Sequence, residues 1–78
     1  MRREQVGGLA RQFWEAWEVI RSGSRRRRDI ARCLRLANKA EKYLFQLLHA
    51  DPTDRAVERA FGDIAGCRAM INTAYPQQ

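Results

Sequence analysis

The stretch LLHADPTDRAV, residues 47–57, contains the strongest local structural signal in the chain. Asp51 is a residue type that caps helices, Pro52 suits the first position of a helix, and Asp54 places a carboxylate near the positive end of a helix dipole. These residues predict that one helix ends before residue 51 and that the next begins at about residue 52. Because the connection is short, we expect the two helices to be antiparallel neighbours.

Apolar residues on both sides of this turn recur at spacings of three and four, which is the repeat of one helical face. One series precedes the turn and the other follows it: Ile30, Cys33, Ala37, Ala40, Leu44 and Leu47, then Val57, Ala60, Ile64, Cys67, Ile71 and Ala74. Folding the chain at about residue 50 brings the two series together layer by layer, and every layer is apolar. We therefore predict an all-α protein built on an antiparallel helical hairpin, with helices at about 25–49 and 52–74.

An N-terminal helix is predicted at about residues 4–21, which carry one apolar stripe from Val6 to Ile20 at the same spacing. The stretch SGS, residues 22–24, then interrupts the pattern, and Ser24 can serve as the N-cap of the following helix. A lone glycine also occurs inside continuous helices, so a single rod that joins the first helix to the second remains an alternative.

The apolar arc of the second helix covers roughly 160 degrees, which is wider than the stripe of about 100 degrees on a helix that rests against one surface. The second helix therefore needs two neighbours. Either the N-terminal helix completes a three-helix bundle, or two copies of the chain form a dimeric helical bundle. We expect a homodimer, because a domain of 78 residues buries only about 60% of the surface that its unfolded chain exposes.

Residues 1–78 are enough for one helical domain and no more. The N-terminus, MRREQVGG, lacks the apolar core of a secretory signal, and no apolar run approaches the roughly 18 residues that cross a bilayer. In this setting the two cysteines are expected to be free thiols. The sequence therefore predicts a cytoplasmic protein without membrane insertion.

Positive charge is concentrated in one segment of the chain. The protein has 15 Lys and Arg against 9 Asp and Glu, a net charge of +6, and residues 25–42 hold eight of the bases but only two of the acids. Six of these bases follow the helical spacing without an acid among them, and Arg26 lies beside their start: Arg25, Arg28, Arg32, Arg35, Lys39 and Lys42. Helical geometry puts them about 160 degrees from the apolar seam, on the outer face of the second helix.

This arrangement is unfavourable for an isolated helix. Most charged helix faces are simply solvated, but those faces mix signs, because like charges three or four residues apart repel and bases in the first turn oppose the helix dipole. The combined cost is on the order of 2 to 3 kcal/mol at low salt. A bound polyanion would reverse the sign of this contribution, so we expect these seven residues to bind one.

The most favoured function is that of a non-enzymatic accessory or regulatory factor that binds the nucleic acid backbone without sequence preference. No zinc-finger, RNP-type or helix-turn-helix motif accompanies the basic residues. An alternative is a protein-interaction module, an adaptor or inhibitor, that docks on an acidic protein. Peripheral membrane binding is a third possibility, but it requires the apolar side of the second helix to be free for lipid.

Several chemical classes are not indicated. There is no nucleophile supported by a histidine, no glycine-rich phosphate loop and no convergent pair of carboxylates, so we expect no enzyme and no cofactor. His49 and two seam cysteines do not suggest a metal site. Size and composition are typical of the small accessory proteins of plasmids and phages.

Six further residues are candidate contact residues between helices or between copies: Trp14, Trp17, Glu41, Gly62, Gly66 and Arg68. The two glycines form a flat strip on the third helix that the first helix or a partner subunit can approach. Trp17 is expected in the core and Trp14 on its flank. Glu41 and Arg68 lie on the apolar sides of their helices, where a charge needs a partner. Candidate partners for Arg68 are Glu15, Glu18 and a second subunit.

Overall fold

The computed structural model describes residues 3–76, which form three α-helices. Helix α1 spans Arg3–Arg21, α2 spans Arg27–Ala50 and α3 spans Arg55–Ala74, and no described residue forms a strand. The all-α class and the hairpin with an N-terminal helix are thus confirmed. The predicted starts of α2 and α3, at residues 25 and 52, were two or three residues too early.

The turn between α2 and α3 uses its two aspartates differently from the prediction. Asp54, not Asp51, is the N-cap of α3, and its carboxylate accepts a hydrogen bond from the Val57 backbone N–H at 3.2 Å. Asp51 instead accepts hydrogen bonds from the backbone N–H and the hydroxyl of Thr53, at 3.1 and 2.6 Å. A residue before proline is disfavoured in the helical region, and Asp51 is at φ −142° and ψ 88°. The next helix begins only after Asp54.

Helices α1 and α2 are separate, which excludes a continuous rod. Gly23 has a φ of 118°, in the left-handed region that residues with a Cβ rarely adopt. Ser24 is not the N-cap of α2, because the helix begins later and Arg26 occupies that position without a side-chain cap. The Ser24 hydroxyl instead donates a hydrogen bond to Asp29 at 2.6 Å, which ties the connection to the first turn of α2.

Helix α2 is the element on which the other two pack. Its buried residues are Ile30, Cys33, Leu36, Ala37, Ala40 and Leu44. Val57, Ile64 and Ile71 of α3 are buried against this seam as the predicted layers require, and α1 contributes Phe13, which is 0% exposed, at the centre of the same core. The wide apolar arc of α2 is therefore covered by two neighbours of the same chain.

The bundle is open between its outer helices. No Cα atom of α1 lies within 8 Å of a Cα atom of α3, so the two helices share α2 without packing backbone to backbone. A groove remains between them. One end, of about 240 Å³, is lined by Val6, Gly7 and Ala10 opposite Ala56 and Ala60. The other end, of about 210 Å³, is lined by Trp17 and Ile20 opposite Met70 and Ala74.

The cap assignment predicts which aspartate matters for stability. Replacing Asp54 by alanine removes an acceptor from the first turn of α3 and should lower the free energy of unfolding by about 1 kcal/mol. Asp54→Asn keeps a capping oxygen and should cost much less. Urea unfolding followed by circular dichroism measures both. A larger loss from Asp51→Ala than from Asp54→Ala would contradict the assignment.

Candidate polyanion-binding face

The basic residues of α2 form one continuous exposed surface. We define the basic face as Arg25, Arg26, Arg28, Arg32, Arg35, Lys39 and Lys42, all of which are exposed. Five of them lie on α2 itself, and from Arg28 to Lys42 they extend about 21 Å along the helix axis. The buried seam holds α2 in place from the opposite side, so the charged groups project from a fixed support.

Within residues 3–76, no carboxylate forms a salt bridge with any member of the basic face. The ion pairs of the described chain lie elsewhere, between Glu18 and Arg21 on α1 and between Glu41 and Arg68 across the hairpin. No ion pair inside the described part of one chain therefore offsets the repulsion among the bases of α2.

The N-terminal end of the basic face differs from the prediction. Arg25 and Arg26 precede α2 rather than forming its first turn. The Arg25 guanidinium lies 5.5 Å from the centre of the Tyr75 ring and donates a hydrogen bond to the Ser24 carbonyl at 3.1 Å. The positive end of the α2 dipole lies among these arginines, with no side-chain cap on the helix and one carboxylate, that of Asp29, in its first turn. This end combines backbone and side-chain positive charge.

Glu41 and Arg68, two of the candidate contact residues, are each other's partners. Arg68 donates through Nε to Oε2 of Glu41, and through a terminal nitrogen to Oε1 at 3.1 Å. The Glu41 side chain is 12% exposed, and its hydrogen bond raises the pKa of the Arg68 guanidinium. The pair lies between α2 and α3, so it stabilises the hairpin, and neither Glu15 nor Glu18 is involved.

The glycine strip on α3 is not covered by α1. A Cβ atom added at Gly62 or Gly66 would meet nothing within 4 Å, so the suggestion that α1 approaches this strip was wrong. The reason is that α1 packs on α2 and stays away from α3. Trp17 is half-buried against the core, whereas Trp14 is 39% exposed.

The sequence reasoning did not identify an exposed aromatic cluster near the end of the basic face. Phe45 is 58% exposed, and its ring centre lies 6.3 Å from that of His49 and 6.4 Å from that of Phe61. With Gln46 and His49 it lines a shallow depression. Phe45 lies at the edge of the apolar arc of α2. Whether this edge is covered depends on where α3 packs, which the sequence does not determine.

The two cysteines are free and poorly suited to nucleophilic chemistry. Burial raises the pKa of the Cys33 thiol to about 11, and the neighbouring Cys67 adds to this while Arg32 opposes it. Burial and then Asp63 raise the pKa of the Cys67 thiol. Both thiols are therefore protonated at neutral pH, and a thiol is a much weaker nucleophile than a thiolate.

The described part of the chain has neither a metal-binding cluster nor a membrane-spanning helix. No group of three or more His, Cys, Asp or Glu side chains comes together there in a way that would hold a metal ion. None of the three helices has an 18-residue window apolar enough to cross a bilayer. The basic face is thus the most distinctive surface of residues 3–76.

Comparisons with protein-family models, with curated proteins and with solved structures find no match for this chain.

The unpaired bases predict that the protein becomes more stable when their repulsion is reduced. Arg28→Glu places an acid in the first turn of α2, four residues before Arg32, and should raise the free energy of unfolding by about 0.5 to 1.5 kcal/mol at low salt. The gain should shrink at high salt because the charges are screened. Urea unfolding at two ionic strengths measures this.

Arg59→Glu on α3 is the matched control. It makes the same change in net charge, but Arg59 has Asp63 four residues further along the helix. This substitution should leave stability unchanged or reduce it slightly. Equal stabilisation by both variants would show that overall charge, and not the basic face, opposes folding.

Proposed function

We propose that the protein is a non-enzymatic accessory or regulatory factor that binds the nucleic acid backbone through the basic face. The observation that carries this proposal is the unpaired row of bases from Arg28 to Lys42 on a helix whose opposite side is buried. A polyanion would replace the repulsion along this row with attraction and would release counterions from its phosphates.

The geometry favours a repeating polyanion. Bases recur along the row about every 5 Å of helix axis. In duplex DNA, successive phosphates of one strand are about 3.4 Å apart along the duplex axis, and long Arg and Lys side chains can reach neighbouring phosphates. Arginine can also grip a phosphate through two hydrogen bonds. The row has no Asn, and only Gln46 at its far end, to pair with adenine edges. Binding should therefore show little sequence preference.

A second candidate function is docking on an acidic protein, and the exposed Phe45 favours it. Protein interfaces are usually centred on buried aromatic anchors. Phe45, with Phe61 beside it, could serve as such an anchor next to the basic face. In this case binding would depend on Phe45 as well as on the bases, whereas backbone binding to duplex DNA would not.

We further propose that the protein acts in the cytoplasm, which its two free thiols support. A homodimer would present two basic faces to one polyanion and would raise the affinity through effective concentration.

The proposal predicts that Arg28→Glu, Arg32→Glu and Arg35→Glu together abolish binding to an arbitrary DNA duplex. For the unchanged protein, a gel shift at low salt should show binding, and the affinity should fall steeply as salt rises. The triple variant should show no shift up to about 10⁻⁴ M, because attraction becomes repulsion at the centre of the basic face.

Two controls interpret this experiment. A variant with Arg55 and Arg59 changed to glutamate carries the same net charge as the double variant Arg32→Glu with Arg35→Glu. It should retain binding where that double variant loses it, because these exposed residues lie on α3, outside the basic face. Phe45→Ala should bind duplex DNA as the unchanged protein does. Absence of any shift with the unchanged protein, on DNA or RNA, would reject the nucleic acid proposal and leave the acidic protein as the candidate.

A further inference from the structure

Helix α1 carries an exposed row of residues outside the basic face, of which Trp14 also meets the core through an edge-on contact with Phe13, 4.8 Å between ring centres. We define the α1 stripe as Glu4, Gly7, Arg11, Trp14, Glu18 and Arg21, which recur at spacings of three and four and are all exposed. The charged members alternate in sign along the helix, and Trp14 lies near the middle. Val6, Phe13 and Ile20, on the other side of α1, are buried in the core.

We propose that two copies of the protein pair through their α1 stripes, with the two α1 helices antiparallel. The spacing of the stripe residues is the same in both directions along the helix. In an antiparallel pair, each stripe residue of one copy therefore lies opposite a stripe residue of the other. Glu4 then faces Arg21 of the second copy, Gly7 faces Glu18, and Arg11 faces Trp14. Twofold symmetry makes each of these contacts twice.

Each of these contacts is chemically complementary. Glu4 and Arg21 have opposite charges, and Arg11 can place its guanidinium over the Trp14 ring. Gly7 has no side chain, and a Cβ atom added there would meet nothing within 4 Å of this chain, so there is room for the Glu18 carboxylate. The stripe is thus complementary to itself in this register.

The charges also select the orientation. Parallel pairing would set each residue against its own copy, so Glu4, Arg11, Glu18 and Arg21 would each meet a like charge. Among residues 3–76, Arg21 forms an ion pair only with Glu18, at 3.6 Å, and the two side chains are 72% and 62% exposed. Such an exposed pair contributes little to stability, so Arg21 is available to a second copy.

Trp14 supplies the apolar part of the contact. A large aromatic side chain that is 39% exposed at the centre of a complementary surface has the character of an interface anchor. Ala10 and Trp17, which line the groove between α1 and α3, extend the apolar surface on the adjoining side of the helix. One pair of 19-residue helices is nevertheless a small interface, so we expect an affinity in the micromolar range or weaker.

This pairing does not rest on the proposed function. The α1 stripe and the basic face share no residue and lie on different helices, so either one can fail without the other. The pairing gives the expected homodimer a specific surface, which differs from the glycine strip of α3.

Charge reversal tests the pairing, with sedimentation equilibrium from about 10 μM to about 1 mM as the measurement. Glu4→Arg and Arg21→Glu should each weaken the dimer about tenfold or more, because each turns two attractions into repulsions. Combining both substitutions in one chain should restore it. An equimolar mixture of the two single variants should form a heterodimer more readily than either forms a homodimer, because both Glu4 and Arg21 positions then face an opposite charge.

Net charge gives an independent control. Arg21→Glu lowers the net charge of +6 by two, which on its own would reduce repulsion between copies and favour the dimer. Arg59→Glu makes the same change on α3 and should not weaken the dimer. Circular dichroism verifies that all variants fold. The proposal is overturned if the unchanged protein stays monomeric throughout, or if the mixture associates no more tightly than the single variants.

Discussion

The burial of one seam of α2 is the interaction on which the rest of the structure depends. Cys33, Ala37 and Ala40 are fully buried there, and their small side chains let α1 and α3 pack closely on the same helix. Phe13 and Ile64 fill the space on either side of it. Because both neighbours are held by α2 and not by each other, loss of this seam would separate all three helices at once.

The same burial determines which part of α2 meets solvent. Because the seam is buried, the bases from Arg28 to Lys42, on the opposite side of α2, project into solvent together. Two features then follow from one helix: a core on its inner side and a concentrated positive surface on its outer side. The ion pairs of residues 3–76, between Glu18 and Arg21 on α1 and between Glu41 and Arg68 across the hairpin, involve none of these bases, so this surface stays charged. The proposed function depends on this separation of the buried side of α2 from its charged side.

Much of the fold could be predicted from the sequence, because apolar periodicity and a short turn determine which faces meet. The layer-by-layer register about residue 50 stays a prediction, although Val57, Ile64 and Ile71 of α3 are buried as it requires. The caps were less predictable, since DPTD contains two aspartates, and only the structure shows that Asp54 caps α3 while Asp51 binds Thr53. Ser24 was wrongly predicted to be the N-cap of α2; its hydroxyl instead donates a hydrogen bond to Asp29.

Features that depend on how the helices are oriented against one another could not be predicted from the sequence. The sequence indicated that Glu41 and Arg68 each needed a partner, but their mutual contact depends on how α2 and α3 are rotated against one another. The open groove and the exposed Phe45 likewise depend on where α1 and α3 lie around α2, which periodicity does not determine. The basic residues were identified correctly as exposed because charge and spacing alone place them opposite the seam.

The most direct test of the central claim is an NMR titration of the isotopically labelled protein with a short DNA duplex at low salt. The account predicts that the largest shifts of backbone and arginine side-chain signals lie between Arg25 and Lys42, with the α1 stripe and the glycine strip of α3 little affected. Shifts centred on α1 or α3, or no shifts at a duplex concentration of about 10⁻³ M, well above ordinary non-specific dissociation constants, would contradict it.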